Sequence, residues 1–147
     1  METAFQETAK NTALLAAMIS WLSAQALKFV IGLITDGEIN LVRLVKSGGM
    51  PSSHAAFVTA VSVGVGKQHG FDSGVFALAA VMSLIVMYDA AGVRQAVGIQ
   101  AQTLNDLLHD LYSRTAITPV KIREILGHTP VEVIAGALLG LMVALIL

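Results

Sequence analysis

Residues 13–34 read ALLAAMISWLSAQALKFVIGLI, a run of 22 residues in which Lys28 is the only charge. At about 1.5 Å per residue, a helix of this length crosses a hydrocarbon core of roughly 30 Å. Asn11 is placed to cap its start, and the run is predicted to end near Ile34. Trp21 falls near its middle, away from the interfacial belt where tryptophan is usual. The rest of the chain agrees with this reading. Of 147 residues, 55% are hydrophobic and 13% charged, with a mean hydropathy of +0.74, whereas about 25% charged residues is usual in soluble domains. The length suits one domain, residues 1–147. A net charge of −1 lacks the basic excess of a nucleic-acid-binding protein. With no cysteine, disulfides and thiolate metal sites are excluded, and no compartment is indicated. Met1–Lys10 is polar without a basic run and does not read as a cleaved signal peptide.

Three more apolar runs follow. Ser52–His69 reaches roughly 27 Å as a helix, and its Ala, Ser and Gly content suits close packing against neighbours. Phe71–Val86 and Val131–Leu147 complete the set. Between the last two, Val97, Ala101, Leu104, Leu108 and Leu111 recur at helical spacing among polar residues. That pattern predicts an amphipathic helix over 97–112 lying along the interface or over the bundle. A short helix is predicted from Thr118-Pro119 to Gly127. The expected fold is therefore all-α: a multi-pass integral membrane helical bundle with about four spans plus an amphipathic interfacial helix. The lipid bilayer is its main partner, and association into a homo-oligomer is left open.

Four spans bring Ser47-Gly48-Gly49-Met50-Pro51-Ser52-Ser53-His54, the Gly92–Arg94 turn and Gly127-His128 to one membrane face. Arg43, Lys46, Arg94, Arg114, Lys121 and Arg123 lie on that side, against Lys10 and Lys67 on the other. The excess predicts a cytoplasmic face, although some of these cations can be retained for binding an anion.

Each motif has two readings. In residues 48–54, Pro51 and the serines make an ordinary helix start, but that gives no reason for His54 at a membrane edge. Alternatively, the small residues let backbone N–H groups converge on an anion at a helix N-terminus, and His54 exchanges protons beside it. Thr129, Pro130 and Glu132 have the spacing of a capping box. Equally, Glu132 lies one turn beyond His128 and can accept its Nδ1–H, leaving Nε2 as a nucleophile. Both readings call on the same carboxylate. Arg94 either complements a helix end or grips a phosphate with its planar guanidinium. Lys28 either snorkels to the surface or is a functional intramembrane cation. Asp89 can pair with either cation. No spacing of His and carboxylates resembles a metal-ligand set.

Gly-Gly-Met-Pro-Ser-Ser-His at 48–54, Tyr-Asp-Ala-Ala-Gly-Val-Arg at 88–94 and Gly-His-Thr-Pro-Val-Glu-Val at 127–133 together resemble the divergent branch of the type 2 phosphatidic acid phosphatase superfamily. This superfamily is related to acid phosphatases and vanadium haloperoxidases. The similarity runs from about Gln25 to the C-terminus. It implies a phosphohydrolase, independent of metal or other cofactor, acting through a phosphohistidine on a phosphorylated lipid or a small phosphoester. On that resemblance His128 is the nucleophile, Glu132 its orienting acid in place of Asp, and His54 the general acid. Ser52 and Ser53 resemble the phosphate cradle, and Lys28, Arg43 and Lys46 are candidates for its cations; from the residues themselves, Gly49 joins the phosphate-binding set and Arg94 is a candidate to supply a guanidinium from another place in the chain. The chain departs from the superfamily's pattern in two places. It has no Lys-x6-Arg-Pro, and Ile122, not Arg, stands six residues before His128. These departures support the alternative of a non-catalytic protein of the same fold serving in binding, transport or assembly.

Overall fold

A computed structural model describes residues 2–37, 49–112, 122 and 127–147. Its described elements are all helical: α1 (Glu2–Ala9), α2 (Thr12–Asp36), α3 (Ser53–His69), α4 (Gly74–Ala91), α5 (Val93–Tyr112) and α6 (Pro130–Ile146). Asn11 does cap α2, its Oδ1 accepting from Leu14 N at 3.1 Å. The helix passes the expected end near Ile34 and stops at Gly37. Helix α4 starts later than the apolar run, because residues 70–73 form a turn in which Ser73 caps Phe76 N. It also continues through Asp89 to Ala91. The amphipathic helix begins at Val93, four residues earlier than its periodicity suggested, since Gly92 alone breaks α4 from α5. The short helix expected from Thr118 to Gly127 falls largely outside the described residues.

Among the described residues, two segments are long and apolar enough to cross a bilayer: Thr12–Thr35, and the Gly74–Tyr112 stretch that holds α4 and α5. Pro130–Ile146 is a shorter apolar helix. Side-chain size is distributed inside out relative to a water-soluble core. Alanines fill the interior, among them Ala16, Ala17, Ala24, Ala55, Ala56 and Ala60, and among the described residues the largest fully buried side chains are Ser20 and Ser52. Leu22, Leu78, Ile85, Ile134 and Ile146 face outward. An apolar exterior over a small-residue interior is what a hydrocarbon solvent permits, because helices there associate by close packing rather than by apolar burial.

Helix α3 is central and touches α2, α4 and α6. Its seam with α6 is a close backbone approach. A Cβ on Gly136 would collide with the Ser52 carbonyl, and one on Gly140 with that of Ala56. One helical turn further, Ala144 joins Ala16, Ala17 and Ala60 in a buried cluster. Gly136, Gly140 and Ala144 thus form a stripe at i, i+4, i+8 that lets two backbones meet. At the end remote from His54, Lys67 Nζ donates to the Ala144 carbonyl (3.0 Å), and Gln68 Nε2 donates to Thr12 Oγ1 (2.7 Å). These bonds pin α3 against the ends of α6 and α2.

Candidate functional site

The residues before α3 and α6 are built as helix starts, and those starts lie side by side. Ser52 is the N-cap of α3, with its Oγ accepting from Ala55 N at 3.3 Å. Gly49, at φ +83°, supplies the left-handed turn that leads into it. Thr129 is the N-cap of α6 in a complete capping box with Glu132. The two starts are joined by a backbone bond from Ser52 N to the Glu132 carbonyl, 2.9 Å. A third element closes the group: His128 N donates to the Ala90 carbonyl at 3.0 Å. A Cβ on Gly127 would overlap the backbone of Arg94 and Gln95, so the α4–α5 junction rests directly on the chain before His128. Beneath these bonds, Ala55, Ala90 and Val133 form a buried cluster with one member from each of the three helices.

This framework sets the rings of His54 and His128 edge to face, with centroids 6.2 Å apart and planes at 60°. His128 is buried, and its Nδ1 lies 3.0 Å from Glu132 Oε2. A carboxylate can only accept, so the shared proton sits on Nδ1, and in the neutral ring this tautomer leaves the lone pair on Nε2. The same Oε2 accepts from Thr129 N at 3.1 Å. The two demands on Glu132 are therefore met by one oxygen, and the capping box itself helps fix the carboxylate that orients His128. His54 is half-buried, and its Nδ1 is buried with no hydrogen-bond partner among the described residues.

Two cations border the histidines. Lys28 is buried at 7% exposure, and its Nζ donates to Ser53 Oγ at 3.1 Å. It does not snorkel; it crosses from α2 to the first turn of α3. Arg94 pairs through Nε with Asp89 Oδ2 at 3.0 Å, both side chains partly exposed. This bond uses one edge of the guanidinium and leaves the Nη groups unbonded among the described residues. Lys28, Arg94 and Asp89 all lie within electrostatic reach of His54, and Glu132 within reach of Lys28. The structure thus gathers His54, His128, Glu132, Lys28, Arg94, Ser52, Ser53 and Gly49 at one end of the bundle. Lys46, like Arg43, Arg114, Lys121 and Arg123, lies outside the described residues. Among the described residues, no three His, Asp or Glu side chains are grouped as metal ligands.

Residues 9–143 match the Divergent PAP2 family. The chain belongs to that family. Among curated proteins it is similar to the "uncharacterized membrane protein YuiD" of Bacillus subtilis (strain 168), at 38% identity over 152 residues, covering 96% of each chain. No solved structure matches. In this divergent PAP2 member, three features of the structure had no clear signature in the sequence. One is the Lys28–Ser53 bond, because nothing in a single apolar run says which neighbour its lone cation meets. Another is Asn105 of α5, whose amide donates to the Ile122 carbonyl and accepts from Ile122 N, both at 2.8 Å. It holds the chain at the position where the superfamily pattern has an arginine. The last is a cavity below His54, to which only the misplaced Trp21 was a clue.

Proposed function

We propose that this protein is a membrane-bound phosphohydrolase working through a phosphohistidine, with α2, α3, α4 and α6 crossing the bilayer. At 17 residues each, α3 and α6 reach about 26 Å, enough when their ends are sheltered by neighbours. Helix α5, with Val97, Leu104, Leu107 and Leu111 exposed, lies at the interface. The site end faces the cytoplasm, as the excess of Lys and Arg on that side suggests.

The reading rests on one observation: two facing histidines, one of them held by a carboxylate through Nδ1, with a lysine and an arginine beside them. Arg94 and Lys28 bind the phosphoryl oxygens, whose charge must be stabilised in the transition state. His128 Nε2 attacks phosphorus, so a P–N bond forms as the P–O bond to the leaving group breaks. His54 gives its proton to the departing oxygen. Water then attacks phosphorus while His54 takes its proton, the P–N bond breaks, and inorganic phosphate leaves. Arg94 stands in from the α4–α5 junction for the arginine that Ile122 replaces. Ser52, Ser53 and Gly49 line the start of α3, where a helix N-terminus favours an anion.

A second reading, a binding or assembly protein of the same fold, draws on Lys28 and Arg94 each already holding a protein partner, Ser53 and Asp89. The test is phosphate release by the purified protein in lipid nanodiscs, from lipid phosphates and soluble phosphoesters, beside His128→Ala. Vanadate-sensitive release lost in the variant supports hydrolysis. Equal release by both proteins removes His128 from the mechanism, and no release from any ester favours the second reading.

A further inference from the structure

Helix α5 carries an asparagine on its covered face. Gly98 and Ala101 are its buried residues among those described, and Asn105 follows them at helical spacing. Asparagine is a poor helix former, and an apolar residue would continue that face at less cost. Its amide serves another contact. Nδ2 donates to the Ile122 carbonyl and Oδ1 accepts from Ile122 N, both at 2.8 Å. Side chain and backbone exchange two bonds, as a hydrogen-bonded pair does between antiparallel strands. The backbone of a helix interior cannot make such a pair, because its groups are used within the helix. An uncharged amide side chain can, since it presents a donor and an acceptor side by side as a peptide does.

Ile122 stands six residues before His128, and two further contacts hold the approach to that histidine on the same pair of helices. Gly127 lies against the backbone of Arg94 and Gln95, and His128 N donates to the Ala90 carbonyl at 3.0 Å. The partners of Ile122 and Gly127 on α5 are ten residues apart, about 15 Å of helix. Ile122 and Gly127 themselves are five residues apart, a reach of at most about 18 Å. Neither point can slide far along α5 without the other. The Gly127 contact is steric and excludes positions without favouring one. Among the described residues, the Asn105 clamp therefore supplies two of the three hydrogen bonds that tie Ile122, Gly127 and His128 to α4 and α5.

We infer that Asn105 is a positioning residue for the histidine pair: by clamping Ile122 to α5, it fixes where His128 sits on the α4–α5 junction and so how its ring meets His54. It touches neither histidine and acts through the backbone. Its effect on turnover rests on the proposed phosphohydrolase, whereas its hold on His128 can be read from amide exchange without turnover. Asn105→Leu removes both bonds at similar volume, and leucine is the better helix former, so α5 itself should not suffer. Asn105→Asp keeps the acceptor, loses the donor and sets a carboxylate oxygen against the Ile122 carbonyl.

The test compares the parent protein in lipid nanodiscs with both variants and with Gln102→Ala, a change at an exposed position of α5. Two quantities are measured: hydrogen exchange at the Ile122 and His128 amides, and steady-state phosphate release. In Asn105→Leu both amides should exchange at least about fivefold faster, the size of one lost neutral hydrogen bond. The kcat should fall about 10- to 100-fold, as for a reacting atom displaced by about 1 Å. KM should stay within about twofold, because the cations that bind phosphate are untouched. Asn105→Asp should fall between leucine and parent, and Gln102→Ala should match the parent throughout. Faster exchange at Ile122 with His128 exchange and kcat unchanged overturns the positioning role and leaves hydrolysis standing. Unchanged exchange at Ile122 overturns the clamp itself. Faster exchange throughout α3 and α6 in both Asn105 variants makes the residue a general stabiliser and overturns the assignment. Coupled exchange at Ile122 and His128, with no phosphate released by the parent from any ester, sinks hydrolysis and keeps the hold of Asn105 on His128.

Discussion

The two ends of the bundle handle polar groups in opposite ways. At the remote end, Lys67 reaches the last turn of α6 and bonds the Ala144 carbonyl, while Gln68 bonds Thr12. The lysine there satisfies a carbonyl in the last turn of α6, as cations near C-termini commonly do, and the glutamine ties α3 to the Thr12 hydroxyl at the start of α2. At the other end, Lys28 is buried against a serine hydroxyl, His54 Nδ1 has no partner among the described residues, and Arg94 is bonded along one edge. Structural requirements are met at the first end. At the second, polar groups are held in place with bonding capacity left over, which suits a ligand that brings its own oxygens.

Mutations can test that contrast. His128→Ala should cut phosphate release by about 10⁴-fold or more, since it removes the attacking nitrogen. Circular dichroism should show the helical content unchanged. Glu132→Gln separates the carboxylate's charge from its hydrogen bonds, because the amide oxygen can still accept from Thr129 N and His128 Nδ1 while the charge that stabilises a cationic imidazole is lost. We expect a loss of about 10²- to 10³-fold in kcat with less than about 1 kcal/mol of stability lost, read from thermal melts in detergent. A stability loss large enough to explain the activity would mean that Glu132 acts only as a cap. Gly136→Ala pushes a methyl at the Ser52 carbonyl and should cost roughly 1–3 kcal/mol by overpacking. Turnover should fall with it, because Ser52 and Glu132 are joined through the backbone. The smallest effects compare two lysines. Lys28→Met should raise KM by about tenfold, the size of one charge-assisted contact to phosphate. Lys67→Met should leave KM and kcat unchanged and lower stability by about 1 kcal/mol or less. Equal behaviour of the two variants would erase the distinction between the ends.

Much of the site was legible because helix starts have local signatures. Asn11, Ser52 and Thr129 act as caps within one turn of sequence, and the Thr129–Glu132 box formed as its spacing required. The two readings of Glu132 looked exclusive in the sequence and are not, because one carboxylate oxygen can accept two bonds. Segment ends were less legible. Whether Asp89 closes a helix or lies within one depends on where Gly92 turns the chain, and apolar content does not record this.

By itself, the sequence determined a small apolar chain of helices with small residues at close-packing intervals and three polar motifs at helix ends. These are local matters of backbone freedom, capping and solvent preference. Only the tertiary structure decided that Lys28 meets Ser53, that Arg94 comes beside His54 from another junction, and that Trp21 lines a cavity. Those pairings depend on which faces of α2, α3, α4 and α6 approach, and that is set by the glycine and alanine contacts between helices rather than by any single run.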